Sequence, residues 1–277
     1  MADVWWTGAL KEFERHLRAA NRRPLTIHGY LSDLDQLRTW MIAAGRGDRI
    51  PSTSDLRAWL AELQEDERTG ATLARKRSAL KAFFDFSAAE KLIPESPVER
   101  LERPSHEYEL PRTLSRAQIA ALLKAAEAHK RDFALLQVLL GCGLRVSEAC
   151  ALSRTQLDLP NRLIYVAGRV VPIPKDTATA LEEWLAVNDE PEVFPIKQRM
   201  VRILCEKYRE RAGIPEQVTP SLLRHTCAVW QLVDGVDPEQ LKLQLGHERE
   251  DVMVHYINRA SQLRAHELRG WQQESLL

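Results

Sequence analysis

A run of prolines near residue 100 constrains the fold of this chain more than any other sequence feature. Residues 93–112 are rich in charge, show no helical period and include four prolines: Pro94, Pro97, Pro104 and Pro111. Proline lacks an amide hydrogen and disfavours a helical residue before it, so no regular element is expected to cross this stretch. We therefore predict two domains, residues 1–92 and 113–277, joined by a linker at residues 93–112.

The residues before the linker have the period of α-helices. Apolar residues recur every three or four positions in four stretches, residues 7–20, 27–41, 56–63 and 73–86. Thr7 is expected to cap the first of these helices. The first domain is therefore predicted to contain four helices.

A basic cluster lies on the fourth predicted helix and comprises Arg75, Lys76, Arg77 and Lys81. Such a cluster commonly forms a solvated helix face, and it also matches the rows of cations that hold DNA phosphates. The chain has 39 Lys and Arg residues against 39 Asp and Glu residues, so its net charge does not favour a nucleic-acid partner. A DNA-binding surface must then be a local basic face, for which these four residues are the candidates.

The second domain is predicted to begin with a capped helix, and a later interruption between two helices is followed by two charged residues. Ser115 and Gln118 form a predicted capping box. An apolar helix follows over residues 133–140, and two glycines then interrupt the chain before Arg145 opens a new helix. Glu148 lies three residues after Arg145, close enough to orient its guanidinium. A surface ion pair is the alternative, although the apolar neighbours favour partial burial.

A short β-hairpin is predicted next, within a domain that is otherwise helical. Residues 163–166 and 170–173 are β-branched or aromatic, and Gly168 provides the turn over residues 167–169. Helical patterns resume at residues 176–187 and 198–212, after Thr219 and from Pro238, and again at 251–256 and 261–277. The predicted fold class is mainly α with a small β-hairpin or sheet.

Residues suited to phosphodiester chemistry are gathered near the C-terminus: Arg224, His247 and Tyr256, with Arg145 and Glu148 upstream. Guanidinium groups hold phosphate oxygens, and a phenol supplies a nucleophile. No zinc or metalloprotease spacing, glycine-rich phosphate loop or nucleophile elbow is present, so we predict neither a metal site nor a cofactor. The four scattered cysteines are expected to be reduced thiols. The longest apolar run is too short to cross a membrane, and no secretory signal is evident.

Four motifs together resemble the tyrosine recombinase (phage integrase) family, nearest to its Xer-like members. They are Gly143-Leu144-Arg145-Val146-Ser147-Glu148, Leu223-Arg224-His225-Thr226, Leu245-Gly246-His247 and Tyr256. The resemblance implies a two-domain DNA clamp, with a helical, SAM-like core-binding domain before the linker and a catalytic domain after it. It also implies that Tyr256 is the nucleophile of a 3′-phosphotyrosyl intermediate, that Arg145 and Arg224 clamp the phosphate, and that His247 donates a hydrogen bond to it.

Two positions depart from the family pattern, and both concern proton transfer. Ser221 stands where the family usually has a histidine, and serine cannot exchange a proton near pH 7 as imidazole does. Arg169 stands on the hairpin where the family has a lysine that protonates the leaving oxygen; arginine can stabilise that oxygen but holds its proton tightly. Lys175 is a candidate substitute. His225 is expected to be structural, because it points about 100° away from Arg224 on a helix.

The resemblance predicts an enzyme, a site-specific recombinase of double-stranded DNA that acts as a homo-tetramer on paired sites. It would work in the cytoplasm, associated with the nucleoid. A terminal helix at residues 261–277 would either pack on its own domain or contact a neighbouring protomer, and it is the candidate element for that contact. The alternative is a recombinase-like DNA-binding or architectural protein with weakened or lost chemistry. A type IB topoisomerase uses similar chemistry, but the Xer-like motifs favour recombination.

Overall fold

The computed structural model of the chain describes residues 2–65, 70–99, 101, 110–246 and 250–274, and it divides into two compact units, residues 1–106 and 107–277. Both units are mainly helical, and the second also contains a small three-stranded sheet. The predicted fold class is therefore confirmed. No helix among the described residues is long and apolar enough to cross a membrane.

Four helices form the first unit: α1 (Ala2–Ala19), α2 (Pro24–Ala43), α3 (Thr53–Glu65) and α4 (Gly70–Ala89). Their core is aromatic, and the buried Trp6 ring stacks on Phe83 with centroids 5.8 Å apart. Because Trp6 has to be on the helix to reach this core, α1 begins well before Thr7. The prediction that Thr7 caps α1 is therefore wrong.

The first residues of the predicted linker belong to the packed structure of the first unit. Ile93 is buried in the aromatic core. The Ser96 hydroxyl donates to Asp85 at 2.9 Å, and Thr53 donates to the Pro97 carbonyl at 2.9 Å. The chain is thus tied down as far as Pro97, because proline prevents a helix there but leaves its carbonyl free to accept.

The second unit contains the remaining elements. Its helices are α5 (Arg116–Ala126), α6 (Lys130–Gln137), α7 (Val146–Cys150), α8 (Lys175–Leu185), α9 (Gln198–Arg211), α10 (Pro220–Val233), α11 (Pro238–Leu245) and α12 (Glu250–Glu274). A π-helical turn (Val138–Cys142) extends α6, and a short 3-10 turn covers Arg154–Gln156. The antiparallel sheet has the order β1 (Leu157–Asp158), β2 (Leu163–Val166) and β3 (Arg169–Pro172).

The hairpin is tighter than the sequence indicates. Arg169 pairs with Val166 inside the ladder, so only Ala167 and Gly168 form the turn, and both have positive φ angles, 49° and 73°. Such a two-residue turn fits the right-handed twist of the strands. The prediction of a three-residue turn containing Arg169 is wrong, and the side chain of Arg169 consequently starts from a strand.

The C-terminal segment forms a single helix rather than two. α12 runs without a break through the predicted gap after residue 256 and lies along α10. Arg264 donates to the carbonyls of Leu232 and Val233 at the end of α10, and Glu267 lies 3.7 Å from Arg116. Up to Glu267, this helix therefore packs on its own unit.

Candidate active site

Glu148 joins two arginines that come from different elements. Its carboxylate accepts from Arg145 Nη1 at 2.9 Å and, in a bidentate pair, from Arg169 at 2.7 and 3.0 Å. It also accepts from the backbone amide of Arg145 at 2.9 Å, which caps α7. Burial by itself raises the pKa of Glu148, but the hydrogen bonds from Arg169 and Arg145 outweigh it and lower the pKa to about 2. Glu148 is therefore ionised and fixes both guanidinium groups.

Three arginines bind consecutive carbonyl oxygens at the C-terminal end of α11. Arg169 Nε donates to Gln244 at 2.8 Å, Arg224 Nη2 to Leu245 at 2.6 Å and Arg145 Nη2 to Gly246 at 2.9 Å. A helix end has carbonyls without intrahelical partners and carries partial negative charge, so cations stabilise it. The end of α11 thereby gathers arginines from three parts of the chain.

Gly246 has no side chain at the point where the Arg169 side chain packs against the end of α11. Its φ of 63° lies in the left-handed region and ends α11. A Cβ atom added here would lie 3.1 Å from Cδ of Arg169 and 3.3 Å from its Nε. Glycine is therefore needed both for the backbone turn and for the approach of Arg169.

Arg224 is the buried member of the cluster, with 7% of its surface exposed. Its guanidinium donates to the carbonyls of Gly143 and Leu245, both at 2.6 Å. Burial first, and then the charge of Arg145, lower the pKa of Arg224 to about 10. Burial and the charge of Arg145 therefore destabilise the charged form of Arg224. An anion bound beside both arginines would stabilise that form.

Tyr256 lies in a small apolar cluster formed by α10, α11 and α12, and only 2% of its surface is exposed. Burial raises the pKa of its phenol, while the charges of Arg224 and Arg145 act in the opposite direction. Tyr256 Oη lies 2.8 Å from His225 Nδ1. His225 therefore contacts the predicted nucleophile, because α12 packs on the face of α10 that carries His225, and its expected structural role stays a prediction.

The structure places the other predicted site residues as follows. Ser221 is exposed in the first turn of α10, one turn before Arg224, and Lys175 is exposed at the start of α8. Arg169 uses Nε, Nη1 and Nη2 in the bonds to Gln244 and Glu148, and these bonds hold its guanidinium against α11 and α7. His247 lies outside the described residues.

The basic cluster of α4 contains both internal and surface side chains. Lys76 is only 3% exposed and contacts Asp33 at 3.1 Å and Gln36 at 2.8 Å. Arg75 also pairs with Asp33, and Lys81 pairs with Asp85 at 2.5 Å on the surface. Arg77 is half-buried, and burial lowers its pKa. The prediction of Lys76 as a phosphate contact is corrected, because Lys76 neutralises a buried carboxylate.

The arrangement brings two guanidinium groups and a buried phenol together in one unit. Two guanidinium groups are fixed next to each other by adjacent carbonyls, and both act electrostatically on the Tyr256 phenol. Among the described residues, no group of three or more His, Cys, Asp and Glu side chains could hold a metal ion. Guanidinium groups can hold phosphate oxygens and a phenol can act as a nucleophile, so both residue types needed for such chemistry lie in this unit.

Two family models cover most of the chain. Residues 112–263 match the Phage integrase family, and residues 10–91 match the Phage integrase, N-terminal SAM-like domain. The tyrosine recombinase XerC of Roseiflexus sp. (strain RS-1) is 33% identical, over 91% of this chain and 90% of that protein. The tyrosine recombinase XerA of Thermococcus kodakarensis is 32% identical, over 86% of each.

Solved structures show the same fold. A lambda integrase dimer bound to a COC′ core site has a TM-score of 0.72 at 18% identity and covers 91% of this chain and 76% of that chain. The crystal structure of XerA recombinase has a TM-score of 0.53 at 22% identity, over 94% of this chain and 98% of that chain. With the family models and the relatives, these findings show that the chain belongs to the phage integrase family and is a tyrosine recombinase, an enzyme of site-specific DNA cleavage and rejoining.

Proposed function

We propose that Tyr256 attacks a DNA phosphodiester held by Arg145 and Arg224. The observation that carries this assignment is that the two guanidiniums bind the adjacent carbonyls of Gly246 and Leu245, and that Leu245 lies in the same buried cluster as Tyr256. In the attack, a bond forms between Tyr256 Oη and phosphorus, and the bond to the 5′-oxygen breaks. The resulting 3′-phosphotyrosyl link keeps the energy of the diester, so rejoining needs no nucleotide cofactor.

The arginines have a physical reason to act here. Charge builds up on the non-bridging oxygens during the attack, and donors fixed beforehand stabilise it without reorganising. Arg145 is 42% exposed through its side chain, so it can meet the phosphate from the solvent side, while Arg224 meets it from within. His247 is proposed to add a hydrogen bond to the same phosphate.

Arg169 and Glu148 are proposed to position this site. The bidentate pair between them fixes the carboxylate that orients Arg145. Because Arg169 already binds Glu148 and the Gln244 carbonyl, its proposed role is to hold Glu148 and the end of α11 in position and not to stabilise the leaving oxygen. Ser221 is proposed as a hydrogen-bond donor to the phosphate, since its exposed hydroxyl can donate but cannot exchange a proton near pH 7.

The substrate is proposed to be double-stranded DNA bound by both units. Arg75, Arg77 and Lys81 on α4 are the proposed phosphate contacts of the first unit, without Lys76. A homo-tetramer on two paired DNA sites, working in the cytoplasm at the nucleoid, is the proposed assembly. The lambda integrase tetramer bound to a Holliday junction, which shares the fold at 17% identity and a TM-score of 0.71, is compatible with it.

A covalent-adduct experiment tests the assignment of Tyr256. The protein first selects a binding duplex from a randomised library. That duplex is then synthesised as a series in which one 5′-labelled strand carries a single nick, at a different position in each member. Cleavage beside the nick releases a short fragment and traps the protein on the label, which is seen on a denaturing gel. Tyr256→Phe should abolish the adduct, and Tyr165→Phe, at an exposed hairpin tyrosine, should retain it.

The outcomes separate the two functions that the sequence leaves open. An adduct that depends on Tyr256 supports an active recombinase. Tight binding to the selected duplex without any adduct, at every nick position, would contradict the proposed chemistry and identify a recombinase-like DNA-binding protein.

A further inference from the structure

We propose that His225 is the base that takes the proton of Tyr256 during strand cleavage and returns it during rejoining. The proposal deepens the function assigned above and rests on it. It starts from the contact between Tyr256 Oη and His225 Nδ1, which are 2.8 Å apart. A base has to lie within hydrogen-bond reach of the proton that it removes, and His225 meets this condition before DNA is bound.

The charge state of His225 suits this role. Burial first, and then the positive charge of Arg224, lower the pKa of its imidazole below the ordinary value of 6.5. The ring is therefore neutral at pH 7, and one nitrogen can accept a proton while the other carries the ring hydrogen. An imidazolium at this position could not accept the phenol proton.

Tyr256 needs such a base. Its buried phenol has a raised pKa, so it is not ionised at neutral pH in this arrangement. The arginines hold their protons too tightly to act as bases, and Glu148, with its pKa lowered to about 2, is a poor proton acceptor. Ser221 cannot exchange a proton near pH 7. In the described part of the site, His225 is the side chain that contacts the phenol oxygen and can exchange its proton.

The proposed step balances as follows. The Tyr256 proton moves to His225 Nδ1 while the bond from Oη to phosphorus forms. The bond between phosphorus and the 5′-oxygen breaks, and that oxygen takes a proton from water to become a hydroxyl. In rejoining, the 5′-hydroxyl attacks the phosphotyrosine and gives its proton to water, and the His225 imidazolium protonates the departing phenolate. No oxidant, metal or nucleotide is consumed.

The competing interpretation is that the hydrogen bond only holds Tyr256 in its buried position. Replacing His225 by asparagine distinguishes the two, because an amide can keep a hydrogen bond to the phenol but cannot take its proton. If His225 is the base, single-turnover adduct formation on the nicked duplex should slow about 100-fold or more. His129→Asn, at an exposed histidine that opens α6, is the matched control and should leave the rate unchanged.

A second probe shows which proton is affected. In a duplex with a 5′-bridging sulfur at the cleaved phosphate, the thiolate leaves without needing a proton. The defect of His225→Asn should persist on this duplex, because the phenol still has to be deprotonated. Recovery to the wild-type rate would show that His225 serves the leaving group, and the proposal would be overturned.

The pH profile gives a third readout. The wild-type cleavage rate should fall as the pH drops through the lowered pKa of His225, and His225→Asn should lose this dependence. The titratable groups acting on the pair are Arg224 and Cys227 from α10 and Arg145 before α7. The pKa of Arg224 is about 10 and burial raises that of Cys227 to about 12, so neither titrates in the acid range. His255→Asn controls for the imidazole next to Tyr256 in the sequence.

Failure of this proposal can be told apart from failure of the proposed function. If wild-type protein forms no adduct, the assignment of Tyr256 is overturned, and the proposal for His225, which rests on it, is overturned as well. If the wild type forms the adduct and His225→Asn matches or exceeds its rate, only the role of His225 as a base is overturned. Unchanged duplex binding and thermal melting of His225→Asn would show that a slower rate does not come from unfolding.

Discussion

Buried charges serve different purposes in the two units. In the first unit, the fully buried carboxylate of Asp33 pairs with the buried ammonium of Lys76 and with Arg75, whose side chain is 46% exposed, so the buried cation has an opposite charge beside it. In the second unit, Arg224 donates to two backbone carbonyls and lies near Arg145. A carbonyl orients a guanidinium through its dipole without cancelling its charge. The comparison shows that a buried cation can be held either by an ion pair, as Lys76 is, or by backbone carbonyls, as Arg224 is.

The largest effect is expected from a substitution in the arginine cluster of the second unit. Arg145→Lys keeps the charge but loses the planar pair of donors that reaches Glu148 and Gly246. Adduct formation should slow by about 100- to 1,000-fold, the usual cost of losing one preorganised donor. Thermal melting should change little, because the side chain is 42% exposed. A large fall in melting temperature with an unchanged rate would show that Arg145 supports the fold instead.

The next effect is on the stability of the first unit, where two lysines of the same basic cluster are compared. Lys76→Met removes a partner of the buried Asp33 carboxylate and should lower the free energy of unfolding by about 2–3 kcal/mol. Lys81→Met, at an exposed pair, should change it by about 0.5 kcal/mol or less. Urea unfolding measures both.

The salt dependence of DNA binding should be affected more by Lys81→Met than by Lys76→Met, which is the reverse of their order in stability. If Lys81 contacts a phosphate, Lys81→Met should reduce the slope of log affinity against log salt by about 1. Lys76→Met should leave the slope unchanged. A reduced slope for Lys76→Met would mean that its ammonium reaches DNA despite the pair with Asp33.

A smaller effect concerns the carboxylate of Glu148, which binds Arg145 and Arg169. The pKa of Glu148 is lowered from 4.5 to about 2 in the folded state, so its ion pairs stabilise the fold above pH 4.5 and are lost as the pH falls toward 2. Between pH 7 and pH 3, the free energy of unfolding of Glu148→Gln should therefore fall less than that of the wild type. Glu206→Gln, at a more exposed pair, is the control and should follow the wild type.

The smallest effect isolates the close approach of Arg169 to Gly246. Gly246→Ala and Gly213→Ala both place alanine in the left-handed region, at φ 63° and 65°, and each should cost about 1 kcal/mol of stability. Only at Gly246 would the new Cβ meet Arg169, because nothing lies within 4 Å at Gly213. Gly246→Ala alone should therefore also slow adduct formation, by about 10-fold. Equal rates for the two variants would mean that the position of Arg169 is not critical.

Much of the fold could be predicted because it depends on local spacing. Apolar residues at helical intervals mark the faces of α2, α4 and α9, and Thr219 and Asp237 cap α10 and α11 through side-chain bonds to nearby amides. The start of α1 could not be predicted in the same way. Trp6 lies in the helix because it packs on Phe83, which is distant in sequence.

The sequence by itself determined the helices, the hairpin and the residue types at the site, since Arg145, Glu148, Arg224 and Tyr256 stand in motifs of fixed spacing. Only the tertiary structure decided what these residues touch. Lys76 lies inside because α2 presents Asp33 to it, and His225 meets Tyr256 because α12 packs along α10. The physical reason is that a helix fixes the directions of its own side chains, while packing between helices fixes which of them meet.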